Sequence, residues 1–316
     1  MATWTTMEQR IEPDPLVRQT IADLTLSRAT GAPFLALLTG VRSVPTAAAR
    51  SALSFDPRRP SLSAGAGLLD VAMLADLALG AALRRQVGGD RLLATITLTL
   101  HLGPATPYQD VAVPSSAGGI AHGVGAARGE FVRDGQLIGQ CLATFAVGAG
   151  GAAATPLPWE RSAPPPDAVV PPGGLPDALT PDEREVLAAV GELARAGTGD
   201  GRSWSEELVA QRCMAGPSGG SVRLRPSLAM RNRAGRVQGA VLFGLACASA
   251  VGTVTPVPIR TVSGHLEFLA SAAADAPIDA EPVLLRATRQ LFFVRSDLRQ
   301  GDRLVASASF VFQRQP

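Results

Sequence analysis

Residues 232–247 read NRAGRVQGAVLFGLAC, and no charged side chain follows Arg236 until Arg260. An uncharged run of that length could span a bilayer. This one is rich in Gly, Ala, Ser and Thr, ends on Pro256 and Pro258 and carries no belt of aromatic anchors. It therefore reads as a helix over 237–251, buried in the core of a soluble protein, with no membrane span. A helix that is apolar on all sides must be surrounded, and a sheet curling around it supplies that cover.

A second helix of the same kind is predicted over 66–83, AGLLDVAMLADLALGAAL, and the sequence around the two is similar in layout. Each begins with a helix whose capping residue precedes a proline, Asp14-Pro15 in one and Thr180-Pro181 in the other; Thr180 with Glu183 makes a full capping box. Next comes a short strand (48–55; 221–230), then the long apolar helix. Strand-like runs follow, 93–102 and 111–113 onward in the first unit, 262–269 and 283–294 in the second. Each unit closes on an apolar strand, 137–145 or 304–312, after a turn containing Gly135 or Gly301; the turn glycines are 166 residues apart. The pattern α-β-α-β-β-β thus occurs twice, which is the mark of internal duplication. We read an α+β protein of two domains, 1–149 and 177–316, each a curled antiparallel sheet around a long helix. A Pro/Gly/Ala-rich linker, 150–176, joins them.

Composition narrows the chemistry. The chain has 316 residues, 46% hydrophobic and 18% charged, so it can bury a large core. Its 29 basic residues are all Arg, which removes Walker-A, Schiff-base and Ser-Lys mechanisms. A net charge of +2 without a basic run speaks against nucleic acid as partner. Cys141, Cys213 and Cys247 are odd in number and far apart, as in a reducing compartment, and the first fifteen residues lack the apolar core of a signal peptide. The expected location is the cytoplasm. His101, His122 and His265 lie outside metal-ligand spacing, so no metal or redox cofactor is implied. Gly216-Pro-Ser-Gly-Gly220 imitates a nucleophile elbow, but a strand-like segment follows Ser218 and no Asp or Glu lies between it and His265. Gly65-Ala-Gly67 and Gly123-Val-Gly125 lack the third glycine of a dinucleotide loop and read as turns.

Two features of the long helices can carry chemistry. A glycine at a helix N-terminus, here Gly239, leaves a backbone N–H aimed outward, where the helix dipole and the donor can polarise a carbonyl and hold an oxyanion. A carboxylate in an apolar helix, Asp76, is costly unless it has a partner or a task; it could act as base or nucleophile, or serve packing through a neighbouring hydroxyl. Asp70 is turned to another face and fits a dipole partner in the first helical turn, unless the register is slipped and it is itself the functional acid.

Residues 232–247 resemble the N-x-x-G-x-x-H-G-G-x-x-x-x-L-A-D motif of hotdog-fold acyl-CoA thioesterases of the phenylacetyl-CoA and 4-hydroxybenzoyl-CoA type. Met73-Leu-Ala-Asp76 resembles the end of that motif, and Leu100-His-Leu-Gly-Pro-Ala105 the strand end that follows it. The resemblance implies a double hotdog in which the carboxylate of one unit faces the Asn/Gln and helix-start glycine of the other. Asp76 would then work with Asn232, Gln238 and Gly239, Gln238 standing where the family has His. The opposite site would pair Cys247 with residues 61–67, which lack the motif, so one working site per chain is expected. Asn232 could equally be a turn residue before the helix. His122, Arg128, Arg286 and Arg289 are candidate substrate contacts, although exposed solvated charge is the commoner role for such arginines. The implied partner is an acyl thioester of coenzyme A or of a carrier protein, and the family's habit of further assembly allows a dimer of double units. Competing readings are a hotdog dehydratase or hydratase and a non-catalytic acyl-binding protein.

Overall fold

The computed structural model describes residues 14–45, 51–63, 65–104, 108, 110–150, 156–160, 179–197 and 202–315. The first half holds α1 (Pro15–Thr30), α2 (Phe34–Leu38), β1 (Arg42–Ser43), β2 (Ser51–Ser54), α3 (Leu68–Val87), β3 (Arg91–Leu102), β4 (Ala112–Ala121), β5 (Val124–Arg133) and β6 (Gln136–Gly150). The second holds α4 (Pro181–Ala196), α5 (Trp204–Ala210), β7 (Cys213–Ala215), β8 (Val222–Leu224), α6 (Gly239–Val254), β9 (Ile259–Phe268), β10 (Ile278–Ala287), β11 (Leu291–Gln300) and β12 (Arg303–Arg314).

The helix starts form where the caps predict. The Asp14 carboxylate accepts from Leu16 N at 2.7 Å, while Thr180 Oγ1 accepts from Glu183 N and Glu183 Oε2 from Thr180 N at 2.8 Å. The strand pattern needs correction. Four strands follow each long helix, where the repeated pattern has three: the run from 111 onward holds both β4 and β5, and run 283–294 is the end of β10, a turn and the start of β11. Thr288 makes that turn, its Oγ1 accepting from Leu291 N at 2.9 Å, and apolar residues on both flanks conceal it in the sequence. Of the expected short strands, 221–230 keeps only β8 before a 3-10 turn at Leu228–Met230. In the first half β2 occupies 51–54, and residues 46–50 lie outside the described set. The expected linker is partly built in: Trp159 is buried, and Glu160 pairs with Arg84 at 2.9 Å. Its remainder lies mostly outside the described residues.

All twelve strands form one antiparallel sheet in the order β1-β2-β4-β5-β6-β3-β9-β12-β11-β10-β8-β7. The order is symmetric about its centre, where β3 pairs with β9. Thr99 faces His265, which follows it by 166 residues, the repeat offset itself; Thr99 Oγ1 and His265 Nδ1 are 2.8 Å apart. A residue paired with its own repeat image marks the two-fold axis, so the pseudo-dyad crosses the sheet at this pair. Helix α3 lies on β2, β4 and β5, and α6 on β8, β10 and β11, as the duplication requires. The two helices cover each other on the remaining side: a Cβ on Gly244 would stand 3.0 Å from Leu69 Cδ1. Both are enclosed over most of their length, and among the described residues no helix is long and apolar enough to cross a membrane.

Gly264 on β9 shows how closely the sheet meets α6. A Cβ there would lie 2.6 Å from Phe243 Cζ and 2.8 Å from Phe310 Cε1, rings already packed edge to face at 5.4 Å between centroids. Gly264→Ala should therefore cost about 1–3 kcal/mol through overpacking, read as a lower urea midpoint at unchanged m. An unmoved midpoint would show that the rings can yield.

Candidate active site

The helices α3 and α6 run antiparallel, since Leu69 meets Gly244 while Asp76 meets Gly239. This brings the N-terminus of α6 against the middle of α3, from the other half of the chain. Asp76 Oδ2 is 3.8 Å from where a Cβ on Gly239 would stand, and the Phe268 ring approaches the same point at 3.0 Å. Only glycine leaves that point clear. Val241 N and Leu242 N both donate to Gln238 O, but the N–H groups of Gly239 and Ala240 meet no acceptor among the described residues. The end of α6 therefore offers unpaired donors and the positive pole of its dipole.

Asp76 is only partly accessible, and its neighbours on α3 are apolar. Burial pushes its carboxyl up to about 6, against the lowering effect of Thr95, whose Oγ1 donates to Asp76 Oδ1 at 2.8 Å. Thr95 was not legible in the sequence. Leu98, Leu100 and Leu102 face the core, and strict alternation would turn position 95 outward, but a bulge between Thr95 and Thr97 resets the phase. Phe268 was missed too, because nothing in the alternation of β9 says that its last inward residue reaches the helix start of its own half.

The predicted residues divide sharply. Gln238, capping α6 next to Gly239, is 3% exposed, and both its amide atoms lack a partner among the described residues. Buried amides are rarely left so. Asn232 acts as the turn residue foreseen as its alternative: its Oδ1 accepts from Ala234 N at 2.9 Å and Arg236 N at 3.0 Å. Asp70 is at the start of α3, not beside Asp76, and its Oδ2 accepts from Gly67 N at 2.9 Å. The remaining candidates are exposed. His122, at a φ of +51°, is in the β4–β5 turn, Arg286 is near the end of β10 and Arg289 is in the following turn. Arg128 lines an open depression over β4–β6 with Ser116, Glu130 and Gln140, which shares no residue with the Asp76 site. Among the described residues no three His, Cys, Asp or Glu side chains converge as metal ligands would.

Comparison with known proteins places this architecture. A protein from Lactobacillus plantarum assigned as an oleoyl thioesterase shares 11% identity over 80% of this chain and 91% of its own, with a TM-score of 0.50. One from Novosphingobium aromaticivorans DSM 12444, assigned as a thioesterase, shares 15% identity over 87% and 98%, also at 0.50. At these identities the likeness establishes the fold, and the chain is a double hotdog. Residues 229–313 match the family model for the acyl-CoA thioesterase N-terminal domain, although here they lie within the C-terminal half. None of the curated proteins matches the sequence. Residues 229–313 are thus similar to an acyl-CoA thioesterase domain, within a double-hotdog fold that spans both halves.

A carboxyl raised in the folded state from 3.8 to about 6 contributes stability that is fully present below pH 3.8 and lost as pH rises through 6. Asp76→Asn should therefore leave stability unchanged near pH 4 and raise it at pH 7.5 by up to about 3 kcal/mol, as measured by urea unfolding at the two pH values. A difference independent of pH would mean that Asp76 titrates normally.

Proposed function

We propose that the chain hydrolyses acyl-coenzyme A thioesters at one composite site, with the acid from the first half and the oxyanion donors from the second. The observation that carries this is the 3.8 Å approach of Asp76 Oδ2 to the Cβ position of Gly239, at a helix end with unpaired donors. The thioester carbonyl oxygen accepts from Gly239 N–H, and the adjacent Gln238 amide completes the donor set. These groups strengthen their bonds as the oxygen becomes negative, so they favour the transition state over the substrate.

Asp76 takes the proton of a water as its oxygen adds to the thioester carbon. Collapse of the tetrahedral adduct breaks the C–S bond, and the thiol leaves with that proton. A carboxyl at about 6 suits this role, because near neutral pH it is ionised yet more basic than an ordinary aspartate. The raised value is the reason for preferring base catalysis to an anhydride with Asp76 as nucleophile. Thr95 positions the carboxylate and sets how far its affinity for protons rises. Asn232 shapes the turn that brings Gln238 and Gly239 to α3.

The test is thiol release across aromatic and aliphatic acyl-CoA substrates. Asp76→Ala should lower kcat by about 10²–10⁴-fold, and Cys247→Ala should leave it near wild type. Absence of turnover with every substrate, while acyl-CoA still raises Tm, would overturn hydrolysis in favour of acyl binding.

A second prediction concerns pH. Asp76 must lose its proton to act, so kcat/KM should fall as pH drops through about 6. The Thr95 hydrogen bond favours the ionised form. Thr95→Val should therefore move the acid limb to higher pH. A limb that stays in place while only kcat falls would assign Thr95 to packing.

A further inference from the structure

The repeat that sets Asp76 opposite the start of α6 sets Cys247 opposite the start of α3, and the two places differ in a way that the loss of an acid does not explain. At α6 the first N–H groups are unpaired among the described residues. At α3 the second of them and the cap are taken. Glu206, the capping-box residue of α5 in the second half, accepts from Ser203 N through Oε2 and reaches across so that its Oε1 accepts from Leu69 N at 3.3 Å, while Asp70 Oδ2 accepts from Gly67 N. A Cβ at residue 67 would stand 2.1 Å from the Glu206 carboxyl carbon, so the carboxylate fills the space where the side chain of a capping residue would begin.

The surroundings are those of an enclosed ligand site. Asp70, Ser203 and Ser205 are all at most 1% exposed; the two serine hydroxyls lie against the Asp70 carboxyl and favour its ionised form, although among the described residues Asp70 Oδ1 and Ser205 Oγ make no bond of full hydrogen-bond geometry. Asp70 is pushed up to about 7, first by burial and then by the Glu206 charge, so near neutral pH a good share of it is protonated and able to donate. Burial pushes Cys247 up to about 12, with a smaller upward contribution from the Glu206 charge against the Thr261 hydrogen bond, so its thiol is uncharged.

We propose that the start of α3 is a carboxylate-binding site whose ligand is the chain's own Glu206, an internal occupant that keeps the second composite site closed while its counterpart at α6 stays open. The ligand class is a small monocarboxylate: one charge, two acceptor oxygens, met by Leu69 N–H, Ser203 N–H and the positive pole of α3. This goes beyond the hydrolytic reading, and it does not depend on whether Asp76 turns over a thioester.

The experiment is thermal unfolding of the full chain at pH 7 in sodium acetate against sodium chloride of equal ionic strength. Glu206→Ala should lower Tm by about 5 °C in chloride. Acetate should restore part of that loss in a saturable way and leave wild type unmoved. Equal response of variant and wild type, or no difference between the salts in folded Glu206→Ala, would overturn the proposal. Glu206→Asp covers the case in which the alanine variant does not fold. Its carboxylate is one methylene short of Leu69, so the Leu69 amide should exchange with solvent faster while the middle of α3 keeps its protection; unchanged exchange at Leu69 would also overturn it.

Discussion

The β3–β9 pairing is the constraint on which everything else depends. It places the pseudo-dyad at Thr99 and His265, makes one sheet of two, and obliges α3 and α6 to cross on the covered side. Once they cross antiparallel at Leu69 and Gly244, the middle of each helix faces the start of the other. The meeting of Asp76 with Gly239 follows from the repeat and one register, with no loop called on to hold either group.

Symmetry of the backbone supplies two such meetings, and the side chains use them differently. One has an acid with raised proton affinity, an unpaired amide and free helix donors; the other has an uncharged thiol and a carboxylate already seated on the helix. In two identical chains any change to one site is a change to both. Joining the copies in one chain removes that obligation, and Cys247 and Glu206 show what then becomes allowed.

Much of this was legible before the structure. The caps at Asp14 and Thr180, the two enclosed helices, the closing strands and the repeat offset were readable because each rests on local chemistry or on a period. Asp76 and Gly239 stood out as candidates for the same reason: a carboxylate in an apolar helix and a glycine at a helix start are visible in the sequence. Thr95, Phe268 and Glu206 were hidden for different reasons. A bulge sets the face of Thr95, the crossing of strand and helix sets Phe268, and Glu206 serves a helix 137 residues away in sequence. The Thr288 turn was lost among apolar neighbours, and the sequence left Asn232 open between donor and turn residue until its Oδ1 was placed on the backbone.

The sheet ends in β1 and β7, strands of two and three residues. A sheet of this breadth has two edges, and a long flat edge would recruit strands from other molecules. Fusing the copies buried the β3 and β9 edges inside the molecule, so the outer borders are the open ones that remain. β1 and β7 offer few backbone groups, but β2 covers only Ala112–Ser115 of β4 and β8 only Ile278–Ala280 of β10, so among the described residues the far ends of these two ten-residue strands are where another strand could add.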